Sequence, residues 1–302
     1  MTSNMPSTVE ESTNYRLVAP LSMMFAFLAV IISIIILMLV CTTKQLHTVT
    51  HCLICNTCIS SILYCVVQCI NYIYLLFIPW ETSDESCRWR GYFGYMSIVA
   101  IVYSYLLQAV SRYFIAILSM QYRWLVSIKI TVYLIVMGWI CVILVPLPAL
   151  LTKDIYFRKG FLCWVPRTSM LHIIYTIFAY YAVPIAFIVC IYGWLYIRIH
   201  YLLNNVAIQV TQRRKNRDLE VFRNLVILLG IYILGAVPSG LYALTNVEIF
   251  YAISIVTLSM CVTVEKLVSL YIDRDIRHVC KKVFCRFKPQ IAPYVAQVPL
   301  PQ

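Results

Sequence analysis

Seven stretches of the chain run without a single Lys, Arg, Asp or Glu: residues 17–43, 45–80, 91–111, 130–152, 168–197, 224–247 and 249–264. A helix needs about 20 apolar residues to cross the hydrocarbon of a bilayer, and six of these stretches suffice alone. The seventh is short until Glu265 and Lys266 are admitted, which extends it to residue 271. The expected architecture is an all-α membrane protein, a bundle of seven transmembrane helices over residues 17–271. A polar tail over residues 1–16 precedes it.

Past the bundle the pattern changes. Ile272, Ile276, Val279, Val283 and Phe287 recur at helical spacing, while Asp273, Arg274, Arg277, Lys281 and Arg286 take the other faces. This predicts an amphipathic helix over residues 272–288, lying in the membrane interface with its basic side toward anionic headgroups. A tail over residues 289–302 follows. Cys280 and Cys285 on this helix are candidates for palmitoylation, the alternative being that both stay unmodified.

Composition agrees with the patterning. The chain has 302 residues, 62% of them hydrophobic and 12% charged, where a soluble domain would be roughly half apolar and a quarter charged. Seven spans place the two termini on opposite sides. With the N-terminus outside, 17 of the 24 basic residues fall on the inner side, among them Lys44, Arg112, Arg198, Arg213, Arg214, Lys215 and Arg217. The positive-inside rule therefore favours N-out, C-in. The net charge of +12 is mostly this bias; the inner leaflet and an intracellular partner account for it, and nucleic acid is not needed. Residues 1–20 lack the apolar core of a cleavable signal peptide, so the first span is expected to act as its own insertion signal. There is no internal repeat of the kind that builds many transporters.

Sorting the 13 cysteines by side leaves Cys87 and Cys163 as the two that face the oxidising compartment. They are expected to pair, the alternative being two free thiols. Cys52, Cys55 and Cys58 have a metal-like spacing, but they lie in an apolar helix without a fourth ligand and are better read as small buried side chains. No metal and no cofactor is expected. Nor is an enzyme: no paired acids, nucleophile–base set or phosphate loop stands in a suitable place.

Arg112, in "SRYFIAI", directly follows the 21 charge-free residues 91–111. A guanidinium at such a boundary marks a functional site, provided it has a partner. Around it stand "KQLHTVTH" (Lys44–His51), Trp139, "CW" (Cys163–Trp164), Pro184 with Tyr192 eight residues on, and Pro238 between Gly235 and Gly240. In this order and spacing the chain resembles the rhodopsin-like (class A) G-protein-coupled receptors over roughly residues 17–288.

The resemblance implies a ligand-activated receptor that promotes nucleotide exchange on a heterotrimeric G protein. Arg112, Tyr113, Tyr192 and Asp218 would form the inner switch and coupling face, together with the basic run 213–217. Ser111 stands where the family has an acid beside the arginine, so Asp218, 20 residues before Pro238, is the expected partner of Arg112. The alternative is that Arg112 snorkels to the interface and Asp218 is solvated. Pro184 and Pro238 would kink the fifth and sixth spans, either as switches or as plain kinks.

Several family positions differ. Ser33 and Ser61 replace polar residues of the first two spans, the second of which binds sodium in the family. "GAVP" (Gly235–Pro238) lacks the usual tryptophan, and "EKLVS" (Glu265–Ser269) stands where Asn-Pro-x-x-Tyr is expected. Glu265 either replaces the lost carboxylate inside the bundle, with Ser33 and Ser61 as partners, or lies with Lys266 at the inner interface; the second reading is preferred. Gly94 occupies the position of the amine receptors' counter-ion, and Ser259 that of the opsins' lysine, which argues against amine and retinal ligands. Tyr95, Tyr103, Tyr181, Tyr242 and Glu248 are the candidate ligand-cavity residues, although aromatics at span ends more often belong to the interfacial belt. Outer loops of mixed charge favour a peptide ligand. A small chemosensory molecule, a non-signalling or constitutively active relative, and more remotely a transporter or channel are the alternatives.

Overall fold

The protein is described by a computed structural model covering residues 15–78, 80, 82–116, 127–158, 161–166, 168–205, 226–227, 230–231, 233–235, 237–242, 244–245 and 247–287. Among these residues every regular element is helical. Six helices are long and apolar enough to cross a membrane: Arg16–Thr42, Val49–Phe77, Asp84–Ile115, Ile128–Leu151, Met170–Leu195 and Glu248–Ile272. They are the first to fifth and the seventh spans of the sequence pattern. Residues 233–235 and 237–242, within the sixth, are helical as well. The expected all-α transmembrane bundle is what the chain forms.

The first span shows how the sequence selects its faces. Ala19, Ser22, Ala26, Ala29, Ser33 and Ile36 recur at three- and four-residue steps and are all fully buried, while Met24, Phe27, Ile34, Ile35 and Met38 are exposed. The small stripe packs on the second and seventh spans, and the large apolar side chains face outward, as lipid requires. Where both sides of a helix contact are apolar, lipid gives no hydrophobic reason to associate. Small residues and interhelical hydrogen bonds hold the helices together instead. Ser22 Oγ lies 2.6 Å from Ser259 Oγ, and Thr263 Oγ1 donates to the Phe25 carbonyl at 2.7 Å. The third span is central, packing on the second, fourth and fifth.

Local signals set the ends. Thr48 caps the second span by accepting the His51 N–H, and Ser127 caps the fourth by accepting that of Ile130. Pro146 and Pro148 break the fourth span into a short helix, Leu147–Leu151. The fifth is interrupted by a π-helical turn, Ile177–Ala182, immediately ahead of Pro184. Proline has no N–H to continue the ladder, and the wider turn is a common local adjustment to such a loss.

A terminal helix, Arg274–Phe287, starts one residue after the seventh span ends. Asp273 separates them, and its Oδ1 accepts the N–H groups of Asp275 and Ile276, both at 3.0 Å. Burial raises the Asp273 carboxyl, but contact with His51 and the two backbone donors outweigh it and hold the group below its ordinary value. Ile276 is fully buried, and Ile276 and Val279 pack into a cluster with Ile36, Leu39 and Leu46. Ile276 and Val279 of the apolar stripe read from the sequence are therefore covered by the first span and its following turn; the side chains of Val283 and Phe287 lie outside the described residues.

Candidate functional site

The end of the bundle that carries Cys87 is closed by the segment between the fourth and fifth spans. Cys87 and Cys163 are joined in a disulfide. Gly91, one turn further along the third span, lies directly beneath: a Cβ there would overlap the Cys163 carbonyl and approach Ile155 Cδ1 to 2.8 Å. The segment is pinned at further points. Asp84 Oδ1 accepts the Phe157 N–H at 2.8 Å, the Val165 N–H donates to Tyr95 Oη at 3.1 Å, and His172 Nδ1 lies 3.1 Å from Asp154 Oδ2.

These ties drive Trp164 inward. Its ring meets Tyr95 edge-on with centroids 4.8 Å apart, and Tyr95 in turn packs against Tyr180 at 5.6 Å. Trp164 was visible in the sequence only as the neighbour of Cys163; nothing local says that it turns into the bundle. Gly94 lies beside it: a Cβ there would rest against the indole at 3.5 Å, an ordinary van der Waals contact. Of the candidate cavity residues, Tyr95 is buried in this aromatic group, and Tyr103 reaches across to donate to the Ala179 carbonyl at 3.4 Å. Tyr181 is half-buried beside the same cluster. Tyr242 packs on Tyr251 at 5.0 Å, and Glu248 opens the seventh span.

At the opposite end, Arg112 is half-buried and its Nη2 donates to Thr50 Oγ1 at 3.1 Å. Tyr192 is buried within electrostatic reach of this guanidinium, and the Tyr113 ring lies 5.5 Å from that of Trp194. Ser111 is buried. Asp218 and the basic run 213–217 lie outside the described residues. Pro184 is buried and Pro238 half-buried. Near Pro238, Gly235 is set against the seventh span, where an added Cβ would come within 2.8 Å of Cys261 Sγ. Cys280 is half-buried on the terminal helix, and the side chain of Cys285 lies outside the described residues.

The polar interior contains the main correction to the sequence reading. Glu265 and Lys266, placed by preference at the inner interface, are 3% and 1% exposed. The seventh span ends at Ile272, close to the expected boundary, so the reason is packing: the pair sits more than a turn inside the helix end and Lys266 meets the second span there. Lys266 Nζ lies 3.1 Å from Glu265 Oε1 and 3.4 Å from the Thr57 carbonyl of the second span. Cys58 and Cys65, on the same face of the second span, lie within electrostatic reach of both charges. Ser61 falls between them in helical register, and its hydroxyl, like that of Ser33, is buried without a hydrogen bond. Nearby layers are better satisfied: Gln108 Nε2 donates to Thr57 Oγ1 at 2.6 Å, and Trp139 Nε1 to Asn56 Oδ1 at 2.9 Å.

The family model described as 7 transmembrane receptor (rhodopsin family) matches residues 32–274. No curated protein matches the chain. The match covers most of the chain, and the protein belongs to this family: it is a multi-pass plasma-membrane receptor. The family is one of receptors and not of enzymes.

Proposed function

Starting from a chain that belongs to the rhodopsin-family receptors, we propose that it is a ligand-activated receptor with its N-terminus outside, and that it promotes nucleotide exchange on an intracellular heterotrimeric G protein. The observation that carries the reading is Arg112. It is directed to Thr50 within the bundle and toward Tyr192, so the guanidinium is held by protein and not by acyl chains. An arginine so placed is available to a partner that enters the same end. The disulfide at the other end supports the orientation, because that bond persists in an oxidising compartment. Asp218 and the basic run 213–217 would complete the coupling face.

A peptide is the favoured ligand. Trp164 of the closing segment packs edge-on to Tyr95, while Asp154 and Arg158 of that segment and Asp84 at the start of the third span bring charges of both signs together. Such a surface suits a polar, extended ligand better than a buried lipid.

The test is agonist-driven nucleotide exchange in membranes, with the agonist found by screening a peptide library against cells expressing the receptor. Arg112→Ala should abolish the response while surface expression survives. Unchanged exchange in that variant removes the proposed mechanism.

A further inference from the structure

His51 lies in the first turn of the second span and is 4% exposed. Its two ring nitrogens have different surroundings. Nδ1 is 2.7 Å from the Thr48 hydroxyl, which also accepts the His51 backbone N–H at 3.4 Å. Nε2 is buried and makes no hydrogen bond. It faces Asp273 Oδ2 at 3.6 Å, too long for a hydrogen bond. That carboxylate divides its work: Oδ1 caps the terminal helix, as described above, which leaves Oδ2 for the histidine. Asp275, two residues on, brings a second carboxylate. One donor atom from each of His51, Asp273 and Asp275 lies within 4.8 Å of the others.

We propose that these three residues form a binding site for a divalent cation of the zinc class, which clasps the start of the second span to the start of the terminal helix. Zinc bonds to imidazole nitrogen and carboxylate oxygen are about 2.0–2.2 Å, so ligands at tetrahedral angles stand about 3.3 Å apart. The gap of 3.6 Å between Nε2 and Oδ2 is close to that spacing. Asp275 is exposed, so its side chain is able to move toward the other two. The donor set decides the class of ion. Calcium and magnesium prefer shells made of oxygen, whereas an imidazole selects for zinc and its transition-metal neighbours. Thr48 supplies the outer-shell contact that metal-bound histidines commonly have at their other nitrogen. Three protein ligands leave the fourth position to water on the solvent side.

The ion would strengthen a junction at which His51 and Asp273 already face each other. Ile276 and Val279 rest against the first span, and Asp273 and Asp275 flank the point where the seventh span turns into the terminal helix. Ligation would fix that turn and the docking of the terminal helix. The site stands on geometry alone; only its placement on the cytoplasmic side rests on the orientation proposed above.

The experiment uses the full chain in lipid nanodiscs. Thermal unfolding is followed during titration with zinc chloride, with magnesium chloride and a chelator as controls. Wild type should gain stability saturably with zinc and not with magnesium. His51→Gln and Asp275→Asn should each weaken the zinc response at least tenfold, and Thr48→Val about tenfold or more. Asp275→Asn leaves the Asp273 cap in place, which guards against a variant that merely fails to fold. Because the chain holds many thiols, cobalt(II) is added in parallel: the site should give visible bands without near-ultraviolet thiolate charge transfer. No zinc-dependent shift, a shift that persists in His51→Gln, or a thiolate-type cobalt spectrum lost on thiol alkylation would each overturn the proposal. A failed exchange assay with Arg112→Ala leaves these readouts untouched, so the two readings fail separately.

Discussion

Lys266 Nζ lies 3.1 Å from Glu265 Oε1, with both residues almost wholly buried between the second and seventh spans. Adjacent residues on a helix normally diverge. Here the two long side chains fold back on each other because neither has water to turn to, and the Thr57 carbonyl takes a further ammonium proton.

Removing one member of a buried pair leaves an uncompensated charge and costs about 3–5 kcal/mol. Lys266→Met should therefore lower the unfolding midpoint of the purified receptor steeply and reduce its surface expression. The double variant Glu265→Gln with Lys266→Met should recover most of the loss. A single variant as stable as wild type would show that the pair is not buried as described.

Thr50 tests the inner end without touching the arginine. Thr50→Val keeps the volume and removes the hydroxyl that Arg112 uses. A hydrogen bond to a charged group contributes about 1.5–3 kcal/mol, so losing this contact should change basal nucleotide exchange several-fold, upward if the contact belongs to the resting state. Basal exchange equal to wild type in matched membranes would remove Thr50 from the switch.

Trp139 and Asn56 join the fourth span to the second through one hydrogen bond of 2.9 Å. Measured couplings of this kind in membrane bundles average about 0.6 kcal/mol and reach about 1.7. A double-mutant cycle of Asn56→Ala and Trp139→Phe should fall in that range. A coupling of zero would mean that the contact is not formed in the bilayer.

Gly91 lacks room for a methyl group beneath the disulfide. Gly91→Ala should overpack the site at about 1–3 kcal/mol and leave part of the receptor with Cys87 and Cys163 reduced. Maleimide labelling of denatured, unreduced protein would detect those thiols. Full oxidation at wild-type stability would contradict the close packing.

The sequence alone determined where the chain crosses the membrane, because a missing charge over about 20 residues is a requirement of the solvent and needs no knowledge of neighbours. The same argument by compartment isolated Cys87 and Cys163, and helical spacing exposed the stripe of Ile276 and Val279. These signals are local or depend on position across the bilayer. What the sequence did not decide was which side chains meet between spans. Glu265 and Lys266 read as interfacial because charges are costly in lipid; only the bundle shows that they are buried and that Lys266 meets the second span. Trp164 gave no sign of turning inward until the disulfide, Asp84 and Tyr95 had fixed its backbone. His51 and Asp273 share no motif, since they come together only when the first turn of one span meets the last of another. Burial of a polar side chain is decided by partners distant in the chain, so tertiary packing had to supply it.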